Sequence, residues 1–234
     1  MTVHMVQIRQ EYRDALAQIE RQALEGLDMV VVAVDRAVAA LMERDVELAS
    51  FVVADDDRID GRYLETHQAI LSLLALQAPV AGDLRIVAAL LHVIRHVERM
   101  GDQCVTIAKM VPLDGREAPV DRELLDLIAR MGTLVRAQVL QCKQAFATRE
   151  LALAEDLALR DQEVNSLNRE IFARAVAIGG DPALREWAMH MTLVARCLER
   201  IGDNAVDIGE QTAFVVTGLF REFSDASQVR IDHD

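Results

Sequence analysis

The chain has 234 residues and a formal net charge of −13, with 52% hydrophobic residues but only 4% aromatic ones. That charge repels nucleic-acid phosphates and anionic headgroups, which argues against nucleic-acid binding and favours cations or basic protein surfaces as partners. No apolar run approaches the ~18 residues of a membrane span, and the N-terminus lacks the basic and apolar regions of a signal peptide. Cys104, Cys142 and Cys197 are far apart and form no CxxC pair, which argues against a disulfide framework or zinc finger. A cytoplasmic protein with no membrane insertion is expected.

Apolar residues recur at helical spacing along almost the whole chain, and only four prolines interrupt it. Leu16, Ile19, Ala23, Leu27, Val30, Val34, Val38 and Leu41 predict a first helix over about 8–43, broken at Arg44-Asp45. Leu48, Val52, Ile59, Leu64, Ile70 and Leu74 predict the second, ended by Pro79 and Gly82, and a third covers about 83–110. The segment 111–123 holds two prolines and a glycine and reads as a linker. Three more helices are predicted over about 120–147, 150–178 and 182–220. Gly179-Gly180 ends the fifth; Asp181 would cap the sixth, with Pro182 at its first position. The polar stretch 224–234 reads as a frayed tail.

The two halves repeat each other. At an offset of 105, Arg44 meets Arg149, Leu48 meets Leu153, Ala49 meets Ala154 and Asp56 meets Asp161. At an offset of 101, RHVERMGDQCVTI (95–107) meets RCLERIGDNAVDI (196–208), which fixes charges and a glycine as well as the period. The expected fold is all-α: two tandem three-helix bundles related by duplication, each with its own core. The first spans 1–112 and the second 113–222, followed by a polar tail at 223–234.

Glu98 and Asp102, like Glu199 and Asp203, are four residues apart, so each pair faces one way, ~6 Å apart along the helix axis. Like charges at this spacing weaken a helix by a few tenths of a kcal/mol. An arbitrary pair of this kind is usually a solvated face. Here three features point elsewhere: the acids lie on or beside apolar stripes, Gly101 and Gly202 sit between them mid-helix, and the arrangement occurs twice. A mid-helix glycine sacrifices ~1 kcal/mol relative to Ala, which makes sense where another helix or a ligand approaches closely. Asp56 and Asp60 on the second helix can oppose Glu98 and Asp102. Four converging carboxylates must take up protons or cations, and oxygen-only ligation suits Mg²⁺, Ca²⁺, Mn²⁺ or iron. The second half offers Asp161 with Asn165, a weaker half-site.

The segments LQAPVAGDLRIVAALL (76–91), VERMGDQCVTIAKM (97–110) and LERIGDNAVDIGEQ (198–211) resemble the signature stretches of the PhoU family, and the likeness covers nearly the whole chain. The resemblance implies PhoU-like three-helix bundles that often form a homodimer, and multinuclear metal sites, with iron or zinc, on E/D-x-x-x-D pairs. It also implies negative regulation of phosphate uptake and of the phosphate-starvation response. The implied partners are the phosphate ABC transporter ATPase and the phosphate-sensing histidine kinase. The metal candidates it implies are Asp56, Asp60, Glu98, Asp102, Asp161, Glu199 and Asp203; Asn165 departs from the expected Asp. Arg95 and Arg196 offer the carboxylates an alternative partner, which would make the motif structural.

Other features weigh less. His92 and His96 have a zinc-compatible spacing but point away from the acidic stripe, and the second half has Leu193 and Cys197 there, so a structural or surface role is expected. His67 is a weaker ligand candidate. The lone cysteines read as small core residues. No Glu-x-x-His, phosphate loop or nucleophile elbow occurs, which argues against a di-iron enzyme and against catalysis generally. A metal-free helical adaptor and an accessory of another phosphate or cation transporter are the alternatives.

Overall fold

The computed structural model describes residues 2–76, 79, 81–113 and 120–223. Among them are six helices and no strand: α1 (Thr2–Glu43), α2 (Val46–Leu76), α3 (Ala81–Met110), α4 (Arg122–Thr148), α5 (Leu151–Ile178) and α6 (Arg185–Thr217). Among the described residues no helix is long and apolar enough to cross a membrane. Helices α1, α2 and α3 pack mutually, as do α4, α5 and α6, and the two bundles join through α3 on α6 and α1 on α4.

The duplication is visible in backbone detail. Both α1 and α4 end with an arginine in the left-handed region, Arg44 at φ 54° and Arg149 at φ 59°. In each case the following amide reaches back to an alanine carbonyl: Asp45 N to Ala40 O at 2.9 Å and Glu150 N to Ala145 O at 3.2 Å. This is the closing bond of a Schellman cap, where glycine is the usual residue because a Cβ disfavours positive φ. Its recurrence on arginines 105 positions apart fixes the register of the two bundles.

Three sequence-based expectations change. The cores are not separate: buried side chains from Tyr12 to Ile208 form one continuous cluster. The interfaces that join the bundles pack closely, with apolar contacts inside and ion pairs such as Lys143–Asp28 at the edge. A Cβ on Gly132 of α4 would stand 2.8 Å from Val38 of α1. Helix α6 starts at Arg185 rather than 182, because Asp181 Oδ1 accepts from Ala183 N and Leu184 N donates to Asp181 O, which closes a separate turn first. It stops at Thr217, where Gly218 takes φ 75°. The start of the tail is docked, since Phe223 N donates to Glu210 Oε1 at 2.7 Å. The frayed tail expected over 224–234 and the linker core 114–119 lie outside the described residues.

Candidate functional site

Gly101 and Gly202 let α2 and α5 approach the third helix of their bundles. A Cβ on Gly101 would lie 2.9 Å from Asp56 Oδ1, and one on Gly202 would lie 2.9 Å from Asp161 Oδ1. Each glycine therefore makes room for a carboxylate from the neighbouring helix. The side chain of Glu98 is 17% exposed and that of Glu199 12%, whereas Asp60, Asp102 and Asp203 face solvent.

In the first bundle the four acids share one electrostatic neighbourhood. Burial pushes Asp56 up to about 6, and Asp60, Asp102, Asp57 and Glu98 all add in the same direction. Glu98 is likewise raised by burial, opposed by Arg95 and reinforced by Asp102 and Asp60. Arg95 Nη1 donates to Glu98 Oε1 at 2.9 Å, and the other oxygen, Oε2, is buried with no partner. A carboxylate with one satisfied and one orphaned oxygen is a group to which a cation can be added without breaking an existing bond.

The second bundle holds its acids differently. Asp161 is 8% exposed and accepts from Gln138 Nε2 at 3.2 Å and from Asn165 Nδ2 at 2.6 Å. Burial raises it, and both bonds oppose the rise. Asp203 is raised by burial and then by Asp161, while Arg196 opposes. Arg196 also bonds Glu199. Asp161 and Asp203 line a groove of about 810 Å³ between α5 and α6, to which Arg221, Glu222 and Phe223 also contribute.

All seven sequence-predicted acids thus stand at the α2–α3 and α5–α6 seams. Among the described residues, however, no three Asp, Glu, His or Cys side chains are placed as a set that would hold a metal ion. The residues fit a cation better in the first bundle, where Glu98 Oε2 is orphaned, than in the second, where Gln138, Asn165 and Arg196 already serve Asp161 and Glu199. The expected Arg95 and Arg196 pairings are both present.

His96 is buried and its Nδ1 lies 2.7 Å from Asn204 Oδ1, across the seam between the bundles. Asn204 Nδ2 donates to Arg200 O, so the amide oxygen faces the ring and Nδ1 carries the proton. Burial lowers His96, against the opposing influence of Asn204 and Asp207. The role is structural, and His92 is exposed. His67 stacks on Tyr63 with centroids 5.7 Å apart. The three cysteines are buried. Gln138 and Asn204 escaped the sequence reading. The repeat alignment held a signal for the first, since Gln138 falls on Ala33.

The PhoU domain model matches residues 24–111 and 128–212, once in each bundle. The chain belongs to the PhoU family. It is 33% identical over 219 residues to the phosphate-specific transport system accessory protein PhoU homolog of Caulobacter vibrioides, covering 93% of this chain and 94% of that one. It is 27% identical to PhoU homolog 1 of Mycobacterium leprae, covering 92% and 96%. The crystal structure of PhoU from Pseudomonas aeruginosa superposes with a TM-score of 0.83 at 26% identity, over 89% of this chain and all of that one. The phosphate transport regulatory protein PhoU of Streptococcus pneumoniae, at 24% identity, shares the fold with the same TM-score. The six-helix architecture is that of PhoU proteins, and both acidic seams fall inside the matched segments.

Proposed function

We propose that this protein is an accessory regulator of phosphate uptake that works by binding partners rather than by transforming a substrate. The carrying observation is similarity over 93% of the chain, both bundles included, to a relative named for phosphate-specific transport. On this reading it acts in the cytoplasm, as a homodimer, on the phosphate ABC transporter ATPase and the phosphate-sensing histidine kinase. It holds the starvation response off when phosphate is plentiful. Deleting the gene should derepress phosphate-scavenging functions in phosphate-rich medium, and the tagged protein should retain the transporter ATPase in a pull-down. Unchanged expression together with no ATPase recovered overturns the reading.

The same proposal extends to metal. Asp56, Asp60, Glu98 and Asp102 would hold a cation in the first bundle, and Asp161, Glu199 and Asp203 a weaker one in the second. Iron or zinc is expected, and the oxygen-rich donor set also suits Mg²⁺, Ca²⁺ or Mn²⁺. Such an ion would neutralise charge and fix the α2–α3 seam, so partner docking would follow metal occupancy. The orphaned Glu98 Oε2 supports this.

A second reading, a metal-free helical adaptor or an accessory of another phosphate or cation transporter, is favoured by the Arg95–Glu98 and Arg196–Glu199 pairs, which already neutralise part of each site. Elemental analysis of protein purified without chelator separates the two. Stoichiometric metal supports the first reading, and a fully folded protein without metal leaves the adaptor.

A further inference from the structure

The first bundle contains a cavity that the second fills with its own side chain. About 320 Å³ lies between α1 and α2 over α3, walled by Met29, Val32, Ala33, Val52, Ile59 and Cys104, with Asp56 beside Gly101. At the mouth, Arg36 and Arg58 both turn to Asp55, at 2.5 and 3.7 Å, and Asp28 pairs with Lys143 at 2.5 Å. Asp56 gains no hydrogen-bond stabilisation from any described side chain. Burial and four neighbouring carboxylates all act on it in one direction.

The matching caps at Ala40 and Ala145 set Ala33 of α1 against Gln138 of α4. Gln138 is 1% exposed, and its Nε2 donates to Asp161, the counterpart of Asp56. Its Oε1 lies 2.8 Å from the place of a Cβ on Gly202, the counterpart of Gly101. So a buried nitrogen donor stands on the aspartate in one bundle, and open space stands there in the other. The inner walls of that space are aliphatic or sulfur-bearing, and the rim carboxylates Asp28 and Asp55 are already paired with Lys143 and with Arg36 and Arg58. Asp56 is thus left with few free oxygens beside it to build the shell a hard metal ion requires. The surrounding carboxylates favour a charged donor over a neutral one.

We propose that this cavity binds a small primary alkylammonium, with its nitrogen donating to Asp56 as Gln138 donates to Asp161 and its aliphatic stem lying among Met29, Val32 and Val52. The volume is at the small end of ligand pockets and suits a stem of a few carbons. The site opens between α1 and α2; it shares Asp56 with the metal proposed at the α2–α3 seam, so an amine and a metal ion would compete for that carboxylate.

Titration of the full-length protein with pentylamine, followed through the methyl resonances of Met29, Val32 and Ile59, should saturate. Pentanol and pentanoate should bind at least tenfold more weakly. Ala33→Gln, which installs the second bundle's carboxamide, should weaken pentylamine at least tenfold. Gln138→Ala should open an equivalent site, seen as new shifts at Val164 and a stoichiometry rising from one to two. Pentylamine titrated in excess EDTA, which strips any seam metal from Asp56, should bind at least as tightly, so this site and the metal proposal can fail separately. The proposal is overturned by a lack of saturable shifts, by pentanoate binding as well as pentylamine, or by an affinity unaltered in Ala33→Gln. If Ala33→Gln does not fold, an unchanged stoichiometry in Gln138→Ala overturns it equally.

Discussion

The two bundles put the same aspartate over the same glycine and then treat it differently. Asp161 is nearly buried and answered: Gln138 and Asn165 donate to it, and on α6 Glu199 is bonded to Arg196. Asp56 is half-buried, faces Ala33 where its counterpart faces Gln138, and has Asp60 where its counterpart has Asn165. The second bundle answers its aspartate with its own side chains, although a groove still runs beside it. The first retains an unanswered charge, an orphaned Glu98 oxygen and a cavity, which are the features of a site that takes something from outside. The residues that set the two apart are Gln138 against Ala33 and Asn165 against Asp60.

The sharpest way to break this comparison is at the glycines. In Gly202→Ala the new methyl meets Gln138 and Asp161, both buried and bonded to each other, so destabilisation of about 2 kcal/mol is expected from denaturant unfolding. Gly101→Ala should cost less than about 1 kcal/mol. Its close neighbours, Asp56 at 2.9 Å and Ile59 at 3.1 Å, both border the adjoining cavity and can shift into it, and alanine regains helix propensity. Equal losses at the two glycines would remove the distinction.

Asn204→Ala should destabilise by about 1 kcal/mol, because the buried His96 Nδ1–H loses its 2.7 Å acceptor and keeps only Asp207 Oδ2, 3.5 Å away. This bond also predicts a pH response. The folded-state value of His96 is lowered, so the unfolded chain takes up the proton first, and this contribution to stability is lost as pH falls through about 6.5. A melting temperature that is flat across that range in the wild type, or unchanged in Asn204→Ala, contradicts the assignment.

At the metal candidates, Glu98→Gln should weaken Mn²⁺ binding at least tenfold in calorimetry, and Glu199→Gln less than threefold. The reverse ranking would make the second bundle the stronger site. The remaining expected effect is on Asp56. Its folded-state value near 6 exceeds the unfolded one, so stability is lost as pH rises from about 4 through 6 and the deficit persists above that. Asp56→Asn should therefore stabilise the metal-free protein at pH 7.5 by about 1 kcal/mol, a figure discounted for the group's partial exposure, and give no advantage below about pH 4. A destabilised variant at pH 7.5 would mean that Asp56 has a partner after all.

The helices were legible because a 3.6-residue apolar period persists through stretches of about thirty residues, and the repeat because charges and a glycine recur with it. Boundaries were less so. Pro182 suits a first helical turn, but the side chain of Asp181 committed the backbone to a tighter turn before α6 could start. Separate cores were expected because each half carries complete stripes. The single core arises because Gly132 lets α1 and α4 close up and His96 meets Asn204 across α3 and α6. Neither contact leaves a local mark in the sequence.

The amino-acid order alone determined that Glu98, Gly101 and Asp102 share one helical stripe and that Glu199, Gly202 and Asp203 repeat it, since helical periodicity is a local property of the backbone. Which aspartate would be answered and which left open was decided by tertiary packing. Gln138 and Ala33 lie on other helices, 23 residues from Asp161 and Asp56 respectively, and they meet or fail to meet them only once the bundles close.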